Sequence, residues 1–326
     1  MGQQSALRLG HISDLHVLNL SGVPLRAWAS KRITGLANLV LGRRGAHSLA
    51  IAEALPEALT TAGVDHVALT GDLSNLSLDA EFQRASDLMA TIGGPDRLTL
   101  IPGNHDVYTR GALRSGRFER WFAPWLVAPG ADEQAALAAG RAGRQIWPVV
   151  RDVSPTVRIY ALSTGVPMGP LVARGVVGSE QLARLAAARE QEPASVRHRV
   201  VMLHHNLHRR SPIHERTAQL VDRPQLARAL RHLGATLVLH GHSHDPQQHH
   251  LAPAGGLSTD KIPVLGCGSS TWNRPERDHL AHFNTIDLQA DGGINARAWV
   301  WRPERAVFEV ERDDLLDRAL ASALPW

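Results

Sequence analysis

Five strand-like apolar runs in this 326-residue chain each end in a short cluster of polar side chains. Helix-like stretches, with apolar residues at three- and four-residue spacing, separate several of these runs. They cover residues 47–63, 79–94, 179–191 and 223–234. This alternation of strands and helices favours an α/β protein. Because ligand sites in open α/β sheets lie beyond the carboxyl ends of the strands, we expect the five clusters to meet in space.

The polar side chains at these run ends suit a metal site. They are the carboxylates, imidazoles and amide of Asp14, His16, Asp72, Asn104, His105, His204, His242 and His244. Oxygen and imidazole donors without a thiol favour Mn, Fe, Co or Zn. In Asp14-x-His16 and His242-x-His244, both side chains leave the strand on one side, so each pair can bind metal. Seven donors suit two ions that share a carboxylate, which leaves His105 to protonate a departing alkoxide.

The order of these motifs resembles the signature of the calcineurin-like metallophosphoesterases over roughly residues 7–288. The matching motifs are Asp14-x-His16, Gly71-Asp72, Gly103-Asn104-His105-Asp106, His204 and Gly241-His242-x-His244. The resemblance implies a mixed α/β (α+β) fold, a four-layer α-β-β-α sandwich around a dinuclear centre. We expect one domain over residues 1–326, in which residues 289–326 add terminal strands and a helix.

The resemblance also implies a role for each motif residue. One divalent ion would be held by Asp14, His16, Asp72 and His244, and the other by Asp72, Asn104, His204 and His242. Asp72 would bridge the two ions. His105 would act as general acid or stabilise the phosphate, and Asp106 would orient His105. Relatives often carry a proline after the fourth motif, where this chain has Asn206, and His205 is a less favoured substitute for His204.

A basic segment without acidic residues, residues 20–45, lies between the first two motifs, and its apolar residues follow helical spacing. Three interpretations are open: an amphipathic element at a membrane surface, a lid that holds an acyl chain over the site, or a helix packed on the domain with its arginines in water. A second insertion, residues 107–147, contains Trp121, Phe122 and Trp125, which could form a wall for the substrate.

Composition excludes several other classes of protein. The single cysteine, Cys267, rules out an intrachain disulfide and fits a reducing compartment, and we expect a buried thiol. A net charge of +4 is too small to indicate nucleic-acid binding. No apolar stretch approaches the roughly 20 residues that span a bilayer, and the start shows no signal peptide. We therefore expect a cytoplasmic protein, at most peripheral to a membrane; its oligomeric state stays open.

These features predict a metal-dependent hydrolase that cleaves a phosphodiester or pyrophosphate bond in a small-molecule or lipid-linked substrate. The chain resembles two groups within the family, the class III cyclic-nucleotide phosphodiesterases and the UDP-2,3-diacylglucosamine pyrophosphatases of lipid A synthesis. The basic segment at residues 20–45 is a reason to consider the second group. A non-catalytic scaffold is the alternative outside enzymes, although the signature is complete here. His249 and His250, which follow the last motif, are expected in a solvated loop.

Overall fold

Two six-stranded sheets form the centre of the part of the chain described by the computed structural model, which covers residues 5–23, 32, 45–252, 261–274 and 280–324. The strands are β1 (Ser5–Ile12), β2 (His66–Leu69), β3 (Leu98–Leu100), β4 (Val149–Ser154), β5 (Val157–Ala161), β6 (His198–Met202), β7 (Leu237–His240), β8 (Gln247–Leu251), β9 (Ile262–Gly266), β10 (His282–Gln289), β11 (Ile294–Arg302) and β12 (Val307–Arg312). The first sheet has the order β12-β11-β10-β1-β2-β3, and the second has the order β4-β5-β6-β7-β9-β8.

Both sheets are mixed, and their parallel strands carry the predicted motifs. β1, β2 and β3 are parallel, with Ile12 opposite Leu69, and β5, β6, β7 and β9 are parallel in the second sheet. The other neighbouring pairs are antiparallel. Parallel strands place their carboxyl ends along one edge of each sheet, so the motif loops of each sheet emerge side by side.

Helices of the described part of the chain pack around the two sheets. They are α1 (Leu49–Thr61), α2 (Asp79–Ile92), α3 (Arg110–Arg114), α4 (Arg117–Trp121), α5 (Ala123–Leu126), α6 (Glu133–Ala142), α7 (Ser179–Glu190), α8 (Pro212–Thr217), α9 (Arg223–Leu233) and α10 (Leu315–Ala321). Ser48 caps α1 by accepting a hydrogen bond from the Ile51 amide, and α9 ends at Gly234, whose φ of 68° is left-handed. The four long helices predicted from apolar spacing are confirmed.

Strand alternation divides the buried side chains between two cores. Ile159, Val200 and Leu237 of the second sheet join a cluster that includes Leu9 of the first sheet, so this core fills the space between the sheets. The intervening residues, such as Val201, instead pack with α7 and α9 on the outer face of the second sheet. The predicted four-layer α-β-β-α sandwich is confirmed.

The aromatic residues of the second insertion lie in the core instead of forming a substrate wall. Phe122 is fully buried, and its ring meets Phe82 of α2 edge to face at a centroid distance of 5.7 Å. Trp125 is also buried and donates its indole N–H to the Gly93 carbonyl at 2.9 Å. Trp121 packs against the same core and donates to Asp79 at 3.0 Å. These rings attach the insertion to α2 and stabilise the first sheet.

Two further expectations change with the structure. His249 and His250 belong to strand β8 and not to a solvated loop, and His250 is buried with its Nδ1 3.0 Å from the Ala319 carbonyl oxygen.

Within the basic segment, residues 24–31 and 33–44 lie outside the described residues. Arg32 is buried and donates to the carbonyl oxygens of Leu76 and Ser77, both at 2.9 Å. Of the helices that the structure describes, none has the length and apolar character needed to cross a membrane.

Candidate metal centre

The predicted ligands follow the carboxyl ends of parallel strands from both sheets. Asp14 and His16 follow β1, Asp72 follows β2, and Asn104 follows β3. On the second sheet, His204 follows β6, whereas His242 and His244 follow β7. All of these side chains are buried except that of His242, which is half-buried. The sandwich therefore brings together residues that are as far apart in sequence as Asp14 and His244.

One group of donors contains Asp14, His16, Asp72 and His244, whose potential ligand atoms all lie within 4.8 Å of one another. The Nε2 atoms of His16 and His244 are 3.0 Å apart. His244 Nε2 is 3.4 Å from Asp14 Oδ1, and His16 Nε2 is 3.7 Å from Asp72 Oδ2. Two carboxylates and two imidazoles that converge in this way form a donor set for a divalent transition-metal ion.

A second group of donors meets the first at Asp72. Its Oδ2 atom is 3.4 Å from Nε2 of His204. The side-chain oxygen of Asn104 lies 3.1 Å from the same nitrogen and 2.9 Å from Nδ1 of His242. The Asp72 carboxylate thus contacts both groups of donors.

The backbone at these ligands is held in an uncommon conformation. Five non-glycine residues of the two groups have φ between 47° and 68°, in the left-handed region: Asp14, His16, Asp72, His242 and His244. Such conformations cost on the order of 1–3 kcal/mol each and concentrate at functional sites. The rest of the fold offsets this cost, which indicates that the donor positions serve something other than stability.

Two glycines make the close approach of the motif loops feasible. A Cβ atom at Gly103 would lie 2.1 Å from Oδ1 of Asp72 and 2.5 Å from the Asp72 backbone nitrogen. A Cβ atom at Gly241 would lie 2.4 Å from Oδ2 of Asp14. Both distances are far below van der Waals contact, so any side chain at these positions would push a predicted ligand away.

The electrostatics of the centre favour a bound cation. Among the described residues, the buried carboxylates of Asp14 and Asp72 form ion pairs only with histidines. Burial alone would lower the pKa of His204, yet the Asp72 carboxylate raises it to about 9. Burial, assisted by neighbouring imidazoles, lowers the pKa of His16 and His242 well below the usual value. The imidazoles of His16 and His242 are therefore neutral, as metal ligands must be, whereas His204 would give up its proton when an ion binds.

His105 lies beside the donors and is held through its backbone and its ring. Its amide donates to Oδ1 of Asp72 at 2.8 Å, and its Nδ1 atom is 2.6 Å from the carbonyl oxygen of Asn75. The ring stacks on Tyr108 at a centroid distance of 5.7 Å. The side-chain amide of Asn75 also donates to the His16 carbonyl at 2.6 Å. Asn75 therefore connects His105 to the first donor group.

The predicted role of Asp106 needs correction, because its carboxylate does not contact the His105 ring. It accepts hydrogen bonds from the amides of Leu73, Ser74 and Gly103, at 3.1, 2.8 and 2.9 Å, and from the Ser74 hydroxyl at 2.9 Å. Asp106 thus joins the loops after β2 and β3 through their backbones. The Asn75 carbonyl oxygen, which has no signature in the sequence, is a partner of the His105 ring.

The short loop that carries Asn75 is supported by a buried acid. Glu81, at the start of α2, accepts hydrogen bonds from the amides of Asn75, Leu76 and Leu78 at 3.4, 2.9 and 3.1 Å. Arg32 binds two carbonyl oxygens of the same loop. Burial raises the pKa of Glu81 to about 7 although these amides oppose the shift. The position of the His105 partner therefore depends on charged groups outside the motifs.

Sequence reasoning also missed His47. Its ring lies 4.4 Å from that of His16, and it forms with His16 and His244 a further group whose ligand atoms lie within 4.8 Å. Its Nδ1 atom is 3.0 Å from the Thr271 hydroxyl. By contrast, both ring nitrogens of His205 are engaged, at 2.8 Å from Thr164 Oγ1 and 2.9 Å from the Ala173 carbonyl oxygen, so His205 does not stand in for His204.

The family of the protein follows from its sequence over most of the chain. The sequence model of the family described as calcineurin-like phosphoesterase matches residues 7–246, more than half of the chain. The chain belongs to the calcineurin-like phosphoesterases. No curated protein matches the sequence of this phosphoesterase.

Comparison with solved structures gives a plant phosphatase and two structures of lower similarity. Purple acid phosphatase PPD1 from yellow lupin (Lupinus luteus) superposes with a TM-score of 0.59 at 12% identity, over 95% of this chain and 53% of that one. The chain thus spans about half the length of the lupin enzyme. SoxB, a sulfate thiohydrolase of Thermus thermophilus, gives 0.45 at 16% identity, over 91% and 57% of the two chains. The D62A mutant of Vps29 from Entamoeba histolytica gives 0.38 at 14%, over 94% and 98%.

Proposed function

We propose that this phosphoesterase binds two divalent metal ions and hydrolyses a phosphodiester or pyrophosphate bond. The observation that carries the proposal is the position of the Asp72 carboxylate between two groups of buried donors. One ion would be held by Asp14, His16, Asp72 and His244, and the other by Asp72, Asn104, His204 and His242. Mn, Fe, Zn and Co all fit this mixture of oxygen and imidazole donors.

When bound, two such ions would stabilise charge on the phosphoryl oxygens and make water acidic enough to attack phosphorus near neutral pH. The protein's part is to fix the geometry of the donors through the strained backbone and the two glycines already described. Because the carboxylates of Asp14 and Asp72 are buried, their electrostatic contacts at the site are stronger than they would be in water.

His105 would move the proton in this reaction. A carbonyl oxygen only accepts hydrogen bonds, so the contact with Asn75 keeps the proton of the neutral ring on Nδ1. In the imidazolium form, Nε2 can give its proton to the departing alkoxide, and the ring then returns to the neutral form that Asn75 holds. His105 thus protonates the leaving group without a change of ring orientation.

The proposal does not extend to a lipid-linked pyrophosphatase. That alternative depended on the basic segment, and residues 24–31 and 33–44 lie outside the described part of the chain. Arg32, the basic residue of the segment that the structure describes, is buried against the Asn75 loop. This contact supports a helix packed on the domain more than a membrane-facing element. A lipid substrate therefore enters as an outcome of the experiment below.

A substrate panel tests the proposal directly. Protein reconstituted with Mn²⁺ would be assayed on bis(p-nitrophenyl) phosphate, cyclic nucleotides, a UDP-linked acyl sugar and p-nitrophenyl phosphate, with and without detergent micelles. We expect turnover of a diester, and its loss in Asp72→Asn. Turnover of the UDP-linked acyl sugar instead would favour the lipid-linked pyrophosphatase. If protein with two bound ions per chain hydrolyses none of these compounds, the non-catalytic scaffold replaces the enzyme as the better interpretation.

A further inference from the structure

His47 lies beside the first donor group but has no role in the chemistry proposed above. Its ring centroid is 4.4 Å from that of His16 and 5.5 Å from that of His244. One ligand atom from each of these three histidines lies within 4.8 Å of the other two. Within the described ranges, the only other set of three or more histidine or carboxylate ligand atoms this close together is the first donor group itself.

The distances fit three imidazoles that share one ion. Two nitrogens on the same ion, with N–metal distances of about 2.0–2.1 Å, are at most about 4.2 Å apart. His16 and His244 already meet this limit, since their Nε2 atoms are 3.0 Å apart. A small shift of the His47 ring is therefore enough to place its nitrogen on the ion that these two residues would hold.

Two hydroxyl groups fix the tautomer of His47. Its Nδ1 atom lies 3.0 Å from Oγ1 of Thr271 and 3.2 Å from Oγ of Ser269. Each hydroxyl gives its single proton to a backbone carbonyl oxygen: Thr271 donates to Leu15 at 2.9 Å, and Ser269 donates to Asp14 at 2.8 Å. Both hydroxyl oxygens therefore accept from the ring, which places the proton of neutral His47 on Nδ1 and the lone pair on Nε2.

This hydrogen-bonding pattern is that of a metal-binding histidine. A ligating imidazole usually donates its other ring N–H to an oxygen of the protein or of water, which fixes the tautomer and the orientation of the ring. The proposed ligand His204 has the same pattern, with its Nδ1 atom 2.7 Å from the Thr70 carbonyl oxygen. In His47, the hydroxyl oxygens of Ser269 and Thr271 take the place of that carbonyl.

The backbone also holds His47 at the edge of the centre. His47 forms an isolated antiparallel bridge with Trp272, and the amide of the adjacent Ser48 donates to the Thr271 carbonyl at 2.9 Å. The Trp272 ring meets the His47 ring nearly edge to face at a centroid distance of 5.4 Å. Because Trp272 lies in the loop after β9, a parallel strand, this support comes from the same edge of the second sheet as the motif loops.

We propose that His47 is a further ligand of the ion assigned to the first donor group, so that three imidazoles bind this ion. The inference rests on the dinuclear centre of the proposed function and adds His47 to its seven ligands. The other two imidazoles are those of His16 and His244, whereas the second ion is assigned only those of His204 and His242. Imidazole suits Zn and carboxylate oxygen suits Mn, so the first position should favour Zn²⁺ over Mn²⁺ more strongly than the second.

Zinc affinity tests the role of His47 without reference to activity. Metal-free, full-length protein would be titrated with Zn²⁺ in competition with a chelating indicator. We expect the unmodified protein to bind two ions, and His47→Gln to bind one of them roughly 10–100-fold more weakly or worse, because even residues that only support a ligand contribute that much. The exposed His232→Gln is the matched control and should bind both ions like the unmodified protein.

The outcomes separate this inference from the proposed function. Equal zinc affinity in the unmodified protein and in His47→Gln would overturn the role of His47 and leave the dinuclear centre intact. Failure of the unmodified protein to bind two ions would overturn both. A raised KM in His47→Gln without a change in zinc affinity would show that His47 contacts the substrate, and it would also overturn the assignment as a ligand.

Crystals of the unmodified, zinc-loaded protein give a second test that needs no variant. Anomalous scattering at the zinc edge would locate the ion bound by His16 and His244, and Nε2 of His47 should lie about 2.0–2.1 Å from it. A zinc ion on His16 and His244 with His47 beyond coordination distance would exclude the proposal, whatever the folding behaviour of His47→Gln.

Discussion

The Nδ1 atom of His105 lies 2.6 Å from the carbonyl oxygen of Asn75, so the ring of the proposed general acid is oriented by the backbone of a neighbouring loop. Because that oxygen is part of the peptide unit, a side-chain substitution at position 75 leaves the acceptor in place. A substitution of the Asn75 side chain should therefore leave the tautomer of His105 unchanged, as long as the loop keeps its position.

Replacement of His105 by alanine should separate metal binding from turnover. In His105→Ala we expect unchanged metal content and a fall in kcat of roughly 10²-fold or more on bis(p-nitrophenyl) phosphate, because the proton donor is lost while all seven proposed ligands remain. The exposed His214→Ala should behave like the unmodified protein. A native rate in His105→Ala would show that the leaving group takes its proton from elsewhere.

Replacement of the proposed bridging carboxylate, Asp72, should reduce metal binding as well as turnover. Asp72→Asn removes a charge that touches both donor groups, so we expect metal content to fall and activity to drop by about 10²-fold or more. Asp152→Asn is the matched control, since Asp152 is half-exposed and pairs with Arg158 on β5. Full metal content in Asp72→Asn would contradict the assignment of Asp72 as a bridge.

A single methyl group at Gly103 should disrupt the centre without altering any ligand. In Gly103→Ala, the added Cβ meets the side chain and backbone of Asp72, and a displacement of about 1 Å costs roughly 10²-fold in rate. Gly169→Ala is the control, because a Cβ there meets no atom within 4 Å. Metal content and kcat would be measured for both, and native values in Gly103→Ala would show that the motif loops are not closely packed.

The stability of the protein should carry a pH dependence from Glu81. Its pKa is raised from 4.5 to about 7 by burial, so the native state holds a proton that the unfolded chain has lost. This contribution is fully present below pH 4.5 and is lost as the pH rises through about 7. Relative to Glu81→Gln, the free energy of unfolding of the unmodified protein should fall by about 3 kcal/mol across that interval.

Denaturant titrations of both proteins in EDTA, at several values of pH between 4.5 and 7, measure this difference. Other titrating groups are common to the two chains and cancel in the comparison. A difference that stays constant with pH would mean that Glu81 is ionised in the native protein, as a partner of its three backbone amides.

Sequence reasoning brought the proposed ligands together because each one follows an apolar run that becomes a parallel strand. The proximity of Asp14, Asp72 and His204 could be predicted without knowing the loop conformations, since parallel strands place their carboxyl ends at one edge of a sheet. The same reasoning could not find the Asn75 carbonyl oxygen, because every residue has one. Nor could it find His47, which precedes α1 without a motif and approaches His16 only in the folded protein.

The aromatic insertion shows a different limit. Aromatic residues such as Phe122 and Trp125 occur both in ligand pockets and in protein cores. Only their packing against α2 in the folded protein shows that they belong to the core. Arg32 was ambiguous in a similar way, since a basic residue in an amphipathic segment is usually solvated. Its burial depends on two carbonyl oxygens of a distant loop, which the local pattern of charges does not reveal.

β1 ends at Ile12, just before Asp14 and His16, and its antiparallel partner β10 is formed by residues far along the chain, with Leu9 opposite Ile286. During translation, one edge of β1 therefore stays unpaired until the ribosome has added residues 282–289, and such distant pairing is slow to form. The first sheet is complete only after residues 307–312 of β12 have been added. A premature stop before β10 removes the support behind Asp14 and His16 as effectively as a substitution of either residue.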